Sequence, residues 1–156
     1  MIKAQKIVKS FSNEDKILND ISFSINKGDS VAIIGQSGVG KSVLLKHLNG
    51  LLKPDSGEVF VDNILLNKIS FNELLEVRRK MAMVFQFGAL FDSMTVEDNI
   101  LLAINNLTNL RGGRIIQRIN KSLELVDLNN INHLLPSEIS GGMKKRIGIA
   151  RAIALQ

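Results

Sequence analysis

The feature that most constrains this chain is the octapeptide GQSGVGKS at residues 35–42, which fits the pattern Gly-x4-Gly-Lys-[Ser/Thr]. The apolar stretch SVAIIG precedes it and the amphipathic stretch VLLKHL follows it, so it lies between a predicted strand and a predicted helix. Glycines let the backbone wrap tightly and direct its N–H groups at phosphate oxygens, while the helix N-terminus adds partial positive charge. The pattern predicts a loop that binds a nucleoside triphosphate; the alternative is a glycine-rich turn with no ligand.

Each residue type in this loop has a predicted role. Lys41 is expected to reach the β- and γ-phosphates, and the Ser42 hydroxyl is expected to ligate Mg²⁺. The predicted cofactors are therefore ATP and Mg²⁺. The predicted binding residues in the loop are Gly35, Gln36, Ser37, Gly38, Val39, Gly40, Lys41, Ser42 and Val43.

Composition excludes several classes of protein. The 156 residues fit one domain, are 45% apolar and include no cysteine, so they predict a folded chain without disulfides or thiolate metal sites. No apolar run approaches the ~18–20 residues that cross a bilayer, and we expect no signal peptide. The net charge of +5 is compatible with bound phosphate or with an ordinary lysine-rich surface. Because Trp and Tyr are absent, a stacking surface for nucleic acid is not expected.

The order of elements predicts an α/β fold. Strand patterns occur in KAQKIVKSF, ILNDISFSI, SVAIIG, GEVFVD and KMAMVFQ. A helix is predicted over KSVLLKHL, with Gly50 placed to end it. From Thr95 to His133 the spacing of apolar residues is helical, and RGGR at residues 111–114 separates two helices.

Three further motifs, in order along the chain, resemble those of the ATP-binding cassette (ABC) family. The family signature LSGGQ corresponds here to ISGGM at residues 139–143. The family glutamine at a strand end corresponds to Gln86 in MVFQ, and the aromatic residue before the phosphate loop corresponds to Phe11 in VKSFSNED. Taken singly, Gln86 is a polar edge residue and Phe11 is a core residue. Their order and spacing carry the resemblance, which covers essentially the whole chain.

The resemblance implies a P-loop NTPase (ABC ATPase) fold with an antiparallel β subdomain and a helical subdomain. The expected parts are about 1–86 for the β subdomain and P-loop core, about 87–139 for the helical subdomain, and 139–156 for the signature helix. Phe11 would stack on adenine, and Gln86 would contact the attacking water and Mg²⁺, which makes Ser42 and Gln86 the expected metal ligands. The γ-phosphate of ATP held by a second subunit would be bound by Ser140, Gly141, Gly142 and Met143.

Three positively charged residues follow the signature near the N-terminus of its helix, where positive charge interacts unfavourably with the helix dipole. Lys144, Lys145 and Arg146 lie in the first turn, where each positive charge is unfavourable by about 0.3–1 kcal/mol. A broken local rule often marks a functional site, and nearby cations would favour a bound phosphate. The alternative is a solvated basic face.

Details of the sequence resemble one subgroup, the Mla-type ATPases of MCE-associated phospholipid-trafficking systems, also labelled ribonucleotide or toluene-tolerance transport. These details are FGALFDSMTVEDN after Gln86, PSE and SGGM at the signature, and ARAIAL. The resemblance implies coupling of ATP hydrolysis to bacterial phospholipid transport. It also implies a head-to-tail dimer with a second ATPase subunit, a membrane permease, an MCE-type lipid-binding protein, and a peripheral location on the inner, cytoplasmic face of the cytoplasmic membrane. The alternatives are another cargo, a non-transport role on ribosomes or DNA, or a non-catalytic remnant.

The family also implies a strand after ARAIAL that ends in Asp-Glu, followed by a D-loop and a switch histidine. These would come after Gln156, so we expect that the C-terminal part of the core is missing, that the SVAIIG strand lacks its neighbour, and that the chain alone does not hydrolyse ATP. No earlier residue is expected to substitute for the carboxylates or the histidine. We considered and rejected Asp62, Asp127, His47 and His133.

Overall fold

The structure is a computed structural model that describes residues 1–11, 16–86 and 88–155. The chain divides into two compact units, Met1–Met81 and Ala82–Gln156. The first unit contains the sheet and the phosphate loop, and the second is helical.

An antiparallel sheet forms the centre of the first unit. Its order is β2-β1-β3-β4, and every neighbouring pair is antiparallel. Three of the predicted strands are confirmed. The strands are β1 (Ile2–Ser10), β2 (Lys16–Ile25), β3 (Ser56–Val61) and β4 (Ile64–Leu65).

The tight turn between β3 and β4 contains Asp62, one of the carboxylates considered for catalysis. Asp62 and Asn63 have φ of 48° and 65°, which is the double positive φ of the turns that join twisted antiparallel strands. The Asp62 carboxylate accepts a hydrogen bond from the terminal ammonium of Met1 at 2.7 Å. Asp62 is therefore a hairpin-turn residue whose carboxylate is bound to the N-terminal ammonium, which is consistent with the expectation that it does not replace the catalytic carboxylates.

Two helices complete the first unit, α1 (Lys41–Leu48) and α2 (Phe71–Arg79). The apolar side of α1 faces the core, because Leu44 and Leu48 belong to the same buried cluster as Ala4 and Val59 of the sheet. The prediction that Gly50 ends α1 is consistent with its φ of 69°, which favours glycine. His47 is buried and its Nδ1 donates to the Val43 carbonyl at 2.7 Å, so it is a packing residue.

Two strand predictions are wrong. Residues 30–36 and 81–85 have no strand structure. A strand requires backbone pairing with a neighbour, and within the described ranges no strand pairs with either segment. Without such a neighbour the apolar side chains remain in solvent: Val31 is 57% exposed and Ile34 is 92% exposed.

Three helices pack together in the second unit: α3 (Val96–Leu107), α4 (Gly113–Glu124) and α5 (Gly141–Ile153), with a short 3-10 helix at Pro136–Glu138. Their apolar faces share one cluster that includes Ile100, Ile119 and Ile147, each fully buried. The predicted break between α3 and α4 is confirmed at Arg111 and Gly112. Among the described residues, none of these helices has the length and apolar content needed to cross a bilayer.

A buried asparagine holds the segment before α3. Asn99 is 1% exposed, and its Oδ1 accepts a hydrogen bond from the Phe91 N–H at 2.7 Å. Its Nδ2 donates to the carbonyls of Phe91, Met94 and Thr95 at 2.9–3.1 Å. A single side chain thus satisfies the backbone of an irregular segment that has no ladder of its own.

We therefore expect Asn99→Ala to lower the free energy of unfolding by about 2–3 kcal/mol, because buried backbone groups lose their partners. Asn106→Ala, in the same helix, removes only an exposed bond to the Leu102 carbonyl and should change it by about 0.5 kcal/mol or less. Urea unfolding of both variants measures the difference. Equal effects would show that the Asn99 network does not stabilise the unit.

Candidate nucleotide-binding site

The phosphate loop is exposed except at its last glycine. Residues 35–39 are open to solvent, whereas Gly40 is buried and has φ of +97°. A Cβ at Gly40 would lie 2.8 Å from Ile17 Cγ2 and 3.0 Å from the Ile17 carbonyl oxygen in β2. Gly38 also has a positive φ, of +88°, with open space around it. Glycine at 40 is therefore required both by backbone conformation and by contact, and it fixes the loop against the sheet.

Lys41 lies inside the curve of the loop that it follows. Its Nζ donates to the carbonyl oxygens of Gly35 and Gln36 at 2.7 and 2.6 Å. Helix α1 begins at Lys41 and has no side-chain cap, so side chains do not occupy its first N–H groups. Ser42 is exposed, and Val43 packs against the buried cluster. The loop thus presents a helix N-terminus, an ammonium and a hydroxyl together.

Phe11 lies at the end of the sheet where the loop is attached. The alternative that Phe11 is a core residue is wrong, because 60% of it is exposed. It follows Ser10, which pairs with Lys16, and Gly40 packs against the next residue, Ile17. Register therefore places Phe11 near the phosphate loop, where the Lys9 ammonium lies 5.5 Å from the centroid of its largely exposed ring.

Sequence reasoning missed the contact that fixes the chain next to Phe11. Asp55 accepts a hydrogen bond from Lys9 Nζ at 2.6 Å and another from the Ser10 N–H at 2.7 Å. The pKa of Asp55 is lowered, first by the side-chain bond from Lys9 and then by the backbone bond from Ser10. The turn KPDSG was recognisable, but its pairing with a strand 45 residues earlier had no sequence signal.

Gln86 lies in a turn of the second unit. The Gly88 N–H donates to the Phe85 carbonyl at 2.9 Å and closes this turn, and Gln86 is exposed within it. Phe87 lies outside the described residues. Gln86 is thus a solvent-exposed polar residue, and its roles toward water and Mg²⁺ remain predictions. No cluster of three or more metal-binding side chains occurs among the residues that the structure describes.

The signature segment opens helix α5 with its glycines uncovered. Ser140 is the N-cap, and its Oγ accepts a hydrogen bond from the Met143 N–H at 3.2 Å. Gly141 and Gly142 are exposed, and a Cβ on either would meet at most the Ser140 hydroxyl, at 3.9 Å. Met143 packs against the apolar cluster. The helix N-terminus therefore ends in open backbone, which is the form that an anion site requires.

The three cations after the signature differ from one another. Arg146 Nη1 donates to the carbonyls of Val126 and Asp127 at 3.2 and 3.3 Å, where the chain turns after α4. Lys145 is exposed and Lys144 is half-buried. Arg146 therefore has a structural role that the sequence did not suggest. Asp127 is an exposed turn residue with φ of 56°, as expected from its position.

The predicted site residues divide between the two units. Phe11 and residues 35–43 belong to the first unit, where register and packing bring them to one end of the sheet. Gln86 and residues 140–143 belong to the second unit.

A glycine loop that opens a helix, beside an antiparallel sheet and followed by a helical unit, defines a P-loop nucleotide-binding cassette. The family model described as ABC transporter matches residues 18–156. The chain therefore belongs to the ABC transporter family.

Curated relatives carry several transport names. The chain is 42% identical over 147 residues to the intermembrane phospholipid transport system ATP-binding protein MlaF of Haemophilus influenzae, covering 94% of this chain and 56% of that protein. It is also 42% identical over 154 residues to the methionine import ATP-binding protein MetN of Carboxydothermus hydrogenoformans, covering 99% and 45%. The chain spans about half the length of these relatives.

Solved structures show the same fold. One is a dimeric ATP-binding cassette in a post-hydrolysis state bound to ADP and Pi; it has a TM-score of 0.91 and 32% identity, with 99% of this chain and 69% of that chain covered. The expected ABC ATPase fold is thereby confirmed.

The Asp55 contact generates a pH-dependent prediction. Because its pKa lies below the ordinary 3.8 in the folded state, the carboxylate stabilises the fold above about pH 4, and this stabilisation is lost as the pH falls further. We expect the urea midpoint of Asp55→Asn to lie below that of the wild type at pH 7 and to approach it as the pH falls further and further below 3.8. A difference that stays constant as the pH falls would contradict the assignment to the ionised carboxylate.

Proposed function

We propose that this chain forms the nucleotide-binding part of an ABC transporter ATPase that couples ATP binding and hydrolysis to phospholipid transport. The observation that carries the nucleotide-binding part of the proposal is the phosphate loop, where Lys41 and the first turn of α1 meet an exposed glycine backbone. A triphosphate would take the loop N–H groups and the ammonium as donors. Ser42 would ligate Mg²⁺, and Phe11 would stack on the adenine.

The second part of the proposed mechanism uses the start of α5. Ser140, Gly141 and Gly142 would bind the γ-phosphate of an ATP held on the phosphate loop of a partner subunit, with Met143 beside them. The uncovered glycine backbone supports this role. The dimeric state of a similar cassette bound to ADP and Pi supports assembly with a second subunit, which we propose to be head-to-tail. Gln86 would contact the attacking water and Mg²⁺.

Phospholipid as the cargo is supported by the similarity to MlaF. A permease, an MCE-type lipid-binding protein and a peripheral location on the inner face of the membrane belong to the same proposal. The equal identity to MetN makes methionine import the second candidate.

Reconstitution distinguishes the two cargoes. An ABC ATPase polypeptide that contains these 156 residues is placed with its permease in liposomes that hold either a fluorescent phospholipid or labelled methionine. ATP-dependent movement of the phospholipid alone is the expected result. Movement of methionine alone would replace phospholipid by the second candidate while leaving the ATPase proposal intact.

We retain the prediction that the 156-residue chain by itself does not turn over ATP. Asp62 lies in a hairpin turn bound to the chain terminus, and Asp127 lies in an exposed turn after α4, so neither supports a role in activating water. Phosphate release by this polypeptide in the presence of Mg-ATP measures its ATP turnover. Turnover that Lys41→Ala abolishes would overturn the prediction.

Binding through the phosphate loop predicts a large effect of Lys41. We expect Lys41→Ala to weaken Mg-ATP binding by at least about tenfold, because a charge-assisted bond to phosphate is lost. Lys46→Ala is the matched control, since Lys46 is an exposed lysine of the same helix. Isothermal calorimetry measures both; equal heats for wild type and Lys41→Ala would exclude this loop as the binding site.

Stacking on Phe11 predicts a base-dependent effect. Phe11→Ala should weaken ATP binding by about 1–3 kcal/mol and leave inorganic triphosphate binding unchanged, because triphosphate has no base to stack on the ring. Phe71→Ala serves as the control, since Phe71 is an exposed phenylalanine of α2 in the same unit. An equal loss for ATP and triphosphate would place Phe11 outside the adenine contact.

A further inference from the structure

The short segment that begins at Gly88 lies directly on one face of helix α5. A Cβ on Gly148 would lie 2.9 Å from the Cα of Gly88, so a side chain at 148 would displace this segment. A Cβ on Gly88 would collide with the Lys144 carbonyl, and Gly88 has φ of +77°. The two backbones therefore pack on each other with no side chain between them.

Arg151 binds the same segment from the same face of α5. Its Nη2 donates to the Gly88 carbonyl at 2.6 Å and its Nη1 donates to the Ala89 carbonyl at 2.9 Å. Residues 144, 148 and 151 are separated by four and three positions, so they line one side of the helix. The planar guanidinium can reach two successive carbonyls at once, which a lysine ammonium does with less geometric definition. Burial lowers the pKa of Arg151, as expected for a guanidinium taken partly out of water.

The other end of the segment is also fixed. Asn99 of α3 binds both backbone groups of Phe91. On the near side, the Gly88 N–H closes the turn that contains Gln86. This bond holds Phe85, the residue before Gln86, to Gly88, and Gly88 is bound by Arg151.

We propose that Arg151 is a positioning residue that fixes the turn carrying Gln86 to the helix that begins at Ser140. Helix α5 is a continuous element from its N-cap to Ile153, so Arg151 lies about 16 Å along the axis from Ser140. Because both are attached to this helix, the distance between the turn that carries Gln86 and the signature segment is fixed. The catalytic consequence rests on the proposed function, whereas the attachment itself is a property of the second unit.

If Arg151 only stabilised the second unit, its replacement would have different effects from the replacement of a positioning residue. A residue that only stabilises the unit would, when replaced, loosen the whole unit equally and lower the amount of active protein. A positioning residue loosens the attached turn while the rest of the unit stays protected. It also lowers kcat for ATP more than it changes KM, because Phe11 and the phosphate loop are untouched.

The test uses an ABC ATPase polypeptide that contains these 156 residues, in four forms: wild type, Arg151→Ala, Arg151→Lys and Gly148→Ala. Gly148→Ala keeps the guanidinium, raises the helix propensity of α5 and pushes only against Gly88. Arg114→Ala is the control, because Arg114 is an exposed arginine of α4 in the same unit. Hydrogen exchange of peptides covering residues 86–91, 35–43 and 115–125 is measured together with kcat and KM for ATP.

We expect exchange in residues 86–91 to rise about tenfold or more in Arg151→Ala and in Gly148→Ala, less in Arg151→Lys, and not in Arg114→Ala. Exchange in the other two peptides should stay unchanged. The kcat should fall by about tenfold to a hundredfold with KM within about twofold. Uniformly faster exchange in residues 86–91 and 115–125, or unchanged exchange in residues 86–91, would overturn the positioning role. A wild-type protein without ATPase activity would instead overturn the proposed function, while the exchange data would still decide the attachment.

Discussion

The left-handed conformation of Gly40 is the constraint on which the first unit depends. This residue ends the phosphate loop, begins α1 and lies against Ile17, so it joins loop, helix and sheet at one point. Because β2 is attached there, the register between β1 and β2 also decides where Phe11 lies. The contact of Gly40 with Ile17 and the register of β1 with β2 therefore bring together residues more than twenty positions apart. The predicted base and phosphate contacts share that origin.

Helix α5 has the corresponding place in the second unit. Its N-terminus carries the open glycines after Ser140, one face enters the apolar cluster through Ile147, and another face holds the segment after Gln86 through Gly148 and Arg151. Because Gly88 and Gly148 have no side chains and Arg151 binds two successive carbonyls, the backbone of the segment packs directly on the backbone of the helix. The two packed faces of the helix constrain its residues, whereas exposed positions such as Lys145 have no such contact to maintain.

Sequence predicted the parts of the fold that local patterns encode. The alternation in β1, β2 and β3, the periodicity of α1, α3 and α4, and the glycine loop all appear where expected. Pattern alone could not show whether a strand has a neighbour, which is why residues 30–36 and 81–85 were wrongly assigned. It also could not show contacts between distant segments, such as Asp55 with Ser10 or Arg146 with the Val126 carbonyl. Such pairings depend on the folded path of the chain, and single residues carry no signal for them.

The two bonds that Lys41 makes with the Gly35 and Gln36 carbonyls have a consequence for the thermodynamics of ligand entry. Two of the three N–H donors of the ammonium are already used by its own loop, so a phosphate that took more than the remaining donor would have to exchange partners with these carbonyls. The enthalpy gained at the lysine is then a difference between two hydrogen-bonded states. Only ligands with enough negative charge to outcompete a pair of carbonyl dipoles would complete the exchange. A lysine that is hydrogen-bonded to its own loop would therefore favour the binding of polyphosphates over that of weaker anions.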